Sequence, residues 1–119
     1  ATYRYWLVTD QATRGMTQFE IDVFINGQFL RTLRNDEEQV ILDVTRHLHS
    51  GRNTVLLVAR KVIQGGRLSA SPSHHFRVVV GEGQESRGTV MIDRPLVMFT
   101  RTADEMQSEI RQEFNVDAR

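Results

Sequence analysis

Two pairs of histidines are the residues best suited to metal chemistry in this sequence. They are His47 with His49 and His74 with His75. Imidazole nitrogens bind zinc, copper or nickel, so the pairs could form a metal site if the fold brought them together. Neither spacing is a recognised ligand motif, and the sequence implies no carboxylate as a third ligand. We therefore interpret these residues as exposed loop histidines and predict no metal site and no cofactor.

Other catalytic groups are not indicated by the sequence. The chain has no cysteine, which removes thiolate nucleophiles, zinc–thiolate sites and disulfides. It contains no G-x-S-x-G motif, no H-E-x-x-H motif and no phosphate-binding loop. The adjacent carboxylates Glu37 and Glu38 lie in a charged stretch that is typical of a solvated loop. We therefore expect that this protein is not an enzyme.

Aromatic residues offer the clearest candidates for a binding surface, because their rings present flat apolar area to a sugar or a protein. Core packing explains most of them. Phe24 is the exception, since the alternation in QFEIDVFI places it on the same strand face as Glu20 and Asp22. We therefore expect Phe24 at an interface or beneath a terminal helix.

Composition limits the class of partner. The chain has 119 residues, and its 15 Lys and Arg residues balance its 15 Asp and Glu residues. Zero formal charge provides no overall field for nucleic acid or an anionic membrane. No apolar run approaches the roughly 20 residues that cross a bilayer. We expect one soluble domain with no nucleic-acid partner and no membrane span, while the compartment stays open.

Strand patterns dominate residues 1–101. The run from Phe19 to Ile25 alternates strictly, and Asn26 with Gly27 then favours a type I′ hairpin turn. Further on, NTVLLVARKV predicts a long strand whose middle is covered on both faces. These patterns predict a mainly antiparallel β-sandwich, jelly-roll-like, with a core that includes Phe19, Ile21, Val23, Ile25, Val55 and Leu57.

Residues 102–119 change period. Thr102 and Glu105 have capping-box spacing, and Met106, Ile110 and Phe114 recur every four residues. The segment TADEMQSEIRQEF therefore predicts a C-terminal α-helix of about three turns, in the same domain as the sandwich.

Between residues 19 and 61 the sequence resembles a known family. VFINGQFL, followed by LDVTRHLHSGRNTVLLVARK, is similar to the V-x-V-N-G and F-D-V-T-x-x-L-x-x-G-x-N-x-L-x-V motifs of galactose-binding-like jelly rolls, including the sugar-binding domain of family 2 glycoside hydrolases. The matching residues are Asn26, Gly27, Leu42, Asp43, Val44, Thr45, Leu48, Gly51, Asn53, Val55 and Leu57. In those hydrolases the chemistry resides in a separate barrel domain, so the resemblance implies a fold and no catalytic role.

Two functions remain open from the sequence. We expect a non-catalytic structural or assembly module that docks a protein partner or its own copies through a sandwich face and the C-terminal helix. The predicted interaction residues are Phe24, Met106, Ile110 and Phe114. The alternative is a carbohydrate-binding accessory module of an extracellular or periplasmic protein, as the resemblance implies.

Overall fold

A computed structural model describes residues 3–119 as two stacked antiparallel sheets. The strands are β1 (Tyr5–Gln11), β2 (Phe19–Ile25), β3 (Gln28–Leu33), β4 (Ile41–Asp43), β5 (Gly51–Lys61), β6 (His75–Ser86), β7 (Thr89–Thr102) and β8 (Glu109–Ala118). A 3₁₀ turn, Thr45–His47, lies between β4 and β5. The first sheet has the strand order β4-β1-β6-β7, and the second has the order β3-β2-β5-β8.

The core lies between the sheets and is formed by alternate residues of each strand. Every predicted core residue is buried there, with no side chain of the set more than 3% exposed: Phe19, Ile21, Val23, Ile25, Val55 and Leu57. The first sheet contributes Leu7, Phe76, Val78, Val80 and Phe99 to the same cluster. The predicted β-sandwich is therefore confirmed, and its arrangement is compatible with a jelly-roll-like fold. No helix in the described residues is long and apolar enough to cross a membrane.

The Asn-Gly pair forms the predicted hairpin between β2 and β3. Asn26 and Gly27 have φ angles of 51° and 79°, the left-handed values that a type I′ turn requires at both central positions. Ile25 pairs with Gln28 directly across the turn. Asparagine and glycine tolerate this conformation better than other residues, which explains why the pair marks the turn in the sequence.

The segment from β4 to the start of β5 contains three residues of the motif quoted above, Asp43, Thr45 and Gly51, and each has a structural role. The Asp43 carboxylate accepts a hydrogen bond from the Thr45 backbone N–H at 2.9 Å, which fixes the start of the 3₁₀ turn. Gly51 has a φ of 94°, a value that glycine adopts without strain. The middle of β5 is buried on both faces, since Leu57, Val58 and Ala59 are all at most 4% exposed.

The predicted C-terminal α-helix is wrong. Residues Glu109–Ala118 form β8, which pairs antiparallel with β5 from Arg60 opposite Glu109 to Gly51 opposite Ala118. A spacing of four residues fits two pleats of a strand as well as about one turn of a helix. In β8, Ile110 and Phe114 therefore share the inner face and pack against the core.

Two physical reasons favour the strand over the helix. The second edge of β5 has backbone donors and acceptors that β8 satisfies along its full length. The inner face of β8 also continues past Phe114 to Val116 and Ala118, both buried, which extends the apolar alternation with period two. One contact of the capping box does form, because the Thr102 N–H donates to the Glu105 carboxylate at 2.8 Å. The Glu105 N–H donates to the Thr102 backbone carbonyl oxygen at 3.1 Å, not to the hydroxyl. They close a turn between β7 and β8 instead of starting a helix.

The β6–β7 hairpin contains two irregularities beside glycines. The pairing shifts register between Val80 and Gly81 and again between Glu82 and Gly83. At this point the Trp6 indole N–H donates to the Gly83 carbonyl oxygen at 3.1 Å, so the bent hairpin helps to bury an aromatic side chain on the outer face of β1. Bulges of this kind increase the local bend and twist of a hairpin.

Candidate interaction surface

An apolar row crosses the outer face of the second sheet. The register places Phe29 of β3 opposite Phe24 of β2, Phe24 opposite Leu56 of β5, and Leu56 opposite Glu113 of β8. The Phe24 and Phe29 rings meet edge to face, with centroids 5.6 Å apart and planes inclined by 63°. Phe29 is 58% exposed, so a large aromatic side chain faces solvent at one end of the row.

A shallow groove of about 450 Å³ lies along this row. Leu56 and Val58 form its apolar floor, and Phe24 forms part of one wall. Val58 is 4% exposed although its side chain points away from the core, because the side chains of the neighbouring strands surround it. We call this surface, with Phe29, the sheet-two groove. No strand or helix of residues 3–119 packs over it.

One wall of the groove is held by an ion pair between two strands. The Asp22 carboxylate accepts hydrogen bonds from the Arg60 guanidinium at 2.9 and 3.0 Å. It also accepts one from the Thr32 hydroxyl at 2.7 Å. The hydrogen bond from Arg60 lowers the pKa of Asp22, and the hydrogen bond from Thr32 adds to this shift, although burial opposes it. The bond between Asp22 and Arg60 also raises the pKa of Arg60. The ion pair therefore joins β2 to β5 at this end, and the bond from Thr32 joins β3 to them.

Removing the Asp22 charge should make the free energy of unfolding depend less on pH in the acidic range. Because the folded-state pKa of Asp22 lies below its ordinary value of 3.8, the carboxylate stabilises the fold above that pH. This contribution is lost as pH falls from 3.8 through the lower folded-state value. Asp22→Asn should therefore be less stable than wild type at neutral pH, and the difference should shrink towards about pH 2.

Urea unfolding of both proteins across this pH range measures the effect. Asp117→Asn serves as the matched control, since Asp117 is exposed on β8 and forms no ion pair in the described part of the chain. A stability difference between wild type and Asp22→Asn that stays constant from neutral to acid would contradict the proposed role of this carboxylate.

The opposite wall carries charges that are less fully paired. In β8 the Arg111 guanidinium nitrogen lies 3.7 Å from a carboxylate oxygen of Glu109, which is a long distance for an ion pair. Glu113 is exposed, and within residues 3–119 its carboxylate has no ion-pair or hydrogen-bonding partner. The groove thus has an apolar floor and, beside it, the Glu113 carboxylate, which is accessible to solvent or a ligand.

The structure does not bring the four sequence-predicted interaction residues together. Phe24 lies in the sheet-two groove, as its place among Glu20 and Asp22 indicated. Ile110 and Phe114 point inward, and the Phe114 ring meets that of Phe99 at 6.4 Å. Met106 is 49% exposed in the connection between β7 and β8. Of the four, only Phe24 contributes to the groove.

Sequence reasoning missed several groove residues, although signals for them exist. Alternation in β5 already separates Leu56 and Val58 from the core residues of that strand. A two-residue hairpin turn also fixes which residues face one another, and this register brings Phe29 beside Phe24. The sequence does not indicate Glu113 as a groove residue, because the pattern around it predicts a helix.

The histidine pairs lie at opposite ends of β1. The turn that contains His47 bonds to the start of β1, where the Tyr5 N–H donates to the Thr45 hydroxyl at 2.9 Å. His75 lies at the other end, with its ring nitrogen 3.1 Å from the Asp10 carboxylate. In the part of the chain that the structure describes, no group of three or more His, Cys, Asp or Glu side chains could hold a metal ion.

The comparisons with known proteins give no family for this chain. No family model matches it, and no curated protein or solved structure is significantly similar to it.

Proposed function

We propose that this protein is a non-catalytic interaction module that docks a protein partner on the sheet-two groove. The single observation behind the proposal is the Phe24–Phe29 pair beside an apolar floor, on a sheet face that no other described element covers. Aromatic side chains in a groove are enriched among the residues that dominate binding energy at protein interfaces. The C-terminal segment takes part as strand β8, which supplies the charged wall.

The geometry of the aromatic pair favours a protein over a sugar. A sugar ring packs best on one flat aromatic surface whose polar edge can hydrogen-bond. The two phenylalanine planes are inclined by 63° and carry no polar atom, so they do not form one platform. An angled apolar surface suits branched aliphatic side chains, which pack against both rings of the pair.

Selection from a random peptide library, run beside a glycan array, tests this proposal. Phe29→Ser should weaken binding of the selected peptides by at least about tenfold, because truncation removes the more exposed ring of the aromatic pair. Met98→Ser is the matched control. Met98 is 57% exposed, against 58% for Phe29, but lies on the first sheet. Met98→Ser lowers the hydrophobicity of the surface about as much as Phe29→Ser does, but it leaves the sheet-two groove intact. The control should therefore bind the peptides as wild type does.

Two results would overturn the proposal. One is a set of selected peptides whose affinity is the same for wild type and Phe29→Ser. The other is glycan binding that depends on Phe29 in the absence of peptide binding, which would identify a carbohydrate-binding module. Circular dichroism of each variant establishes that the fold is retained.

A further inference from the structure

We infer that the partner presents an amphipathic segment whose apolar stripe is flanked by lysine or arginine, and that Glu113 receives this cation. The inference rests on the proposed function and names the chemistry of the partner. It follows from the order of side chains in the row from Phe29 to Glu113, which is apolar at one end and carboxylate at the other.

The charges around the groove leave one carboxylate in excess. Three acidic residues and two arginines line it: Asp22, Glu109, Glu113, Arg60 and Arg111. Asp22 and Arg60 neutralise each other through two hydrogen bonds of 2.9 and 3.0 Å. Arg111 lies nearest to Glu109. Glu113 is therefore the charge that a ligand can complement, and a basic partner group is favoured over an acidic one.

The spacing in the row suits a long basic side chain. Phe24 and Glu113 lie on strands separated by β5, about 10 Å apart across the sheet. Lys and Arg place their apolar stems along apolar surface while the charged end stays in water. A partner lysine can thus cover Leu56 with its stem and place its ammonium at Glu113, while a neighbouring apolar residue packs against the Phe24–Phe29 pair.

An amphipathic helix is a suitable form for this segment. An uncovered sheet face is commonly covered by a helix packed as a further layer. Residues three and four apart on a helix form one stripe, so apolar residues can follow the groove while lysines line its charged side.

Three synthetic helical peptides of about 14 residues test the inference. They share one leucine stripe and differ in the flanking residue, which is Lys, Gln or Glu. Isothermal titration with wild type should give the tightest binding for the Lys peptide and the weakest for the Glu peptide. Glu113→Gln should remove the preference for Lys over Gln, an effect of about threefold at low salt. Raising the salt concentration should reduce the same preference.

The controls separate failure of the inference from failure of the proposed function. Glu85→Gln removes an exposed carboxylate from the β6–β7 hairpin and should keep the Lys preference. Equal binding of the Lys and Gln peptides, abolished by Phe29→Ser, would overturn the cation inference and leave the docking face in place. Binding of none of the peptides, or binding unaffected by Phe29→Ser, would overturn both.

Sedimentation of the free protein gives a further decisive result. The inference predicts a monomer at the concentrations used for titration. A wild-type dimer that Phe29→Ser converts to monomer would show that a second copy of the chain occupies the groove, which would overturn the choice of a basic segment as its occupant.

Discussion

Replacement of Asn53 by alanine should lower the free energy of unfolding by about 3 kcal/mol, because it removes a buried amide that connects three segments. Asn53 is 1% exposed. Its oxygen accepts from the Asn26 amide at 2.9 Å and from the His49 backbone N–H at 3.0 Å. Its nitrogen donates to the carbonyl oxygens of His49 at 2.8 Å and Gly51 at 3.0 Å.

Urea unfolding of Asn53→Ala against Asn115→Ala measures this effect. Asn115 lies on β8, opposite Thr54, and its side chain is exposed. Its removal should change stability by less than about 0.5 kcal/mol, because surface substitutions seldom exceed that range. A loss below about 1 kcal/mol in Asn53→Ala would show that water replaces the missing bonds and that the amide does not hold this end of the sandwich.

Gly81→Ala should destabilise the fold by about 2 kcal/mol or more, because the added methyl group overlaps the neighbouring strand. A Cβ at this position would lie 2.6 Å from the Arg94 carbonyl oxygen and 2.9 Å from the Pro95 Cα. Both obstacles are backbone atoms, which cannot rotate away as a side chain can. Relief requires β7 to move, and the β6–β7 pairing would then change at its bulges.

Thermal unfolding compares Gly81→Ala with Gly88→Asn in the same hairpin. Gly88 has a φ of 78° and open space around it, and asparagine tolerates that backbone conformation. The control should therefore be close to wild type in stability. A Gly81→Ala protein as stable as Gly88→Asn would mean that the close approach of β6 and β7 can relax at little cost.

Much of the fold could be predicted from the sequence, because several residues have strong local requirements. The Asn26-Gly27 turn and the alternation in β2 identified the first hairpin and its core face. Asn53 illustrates a limit. The resemblance located it, and three of its four side-chain hydrogen bonds go to the nearby residues His49 and Gly51, but the fourth joins it to Asn26, 27 residues away. These contacts are structural, so the matching motifs report on the fold more than on a ligand.

The prediction of a C-terminal helix was wrong for a definite reason. Ile110 and Phe114 are four residues apart, a spacing that agrees with both helix and strand, and the Thr102–Glu105 contacts also form in a turn. The free edge of β5 favours the strand, and that edge is a property of the assembled sheet. The alternation that continues from Phe114 to Val116 and Ala118 agrees with the strand. The groove was missed for the same reason, because β8 supplies one of its walls.

Nuclear magnetic resonance titration of the folded protein with the leucine–lysine peptide tests the docking face most directly. We expect the largest amide shift changes at Phe24, Leu56 and Glu113, which share one row of the second sheet. Val79 and Met98, which pair on the outer face of the first sheet, should remain unshifted. Changes centred on Val79 and Met98, or no changes at the groove at saturating peptide, would contradict the assignment of the sheet-two groove as the docking face.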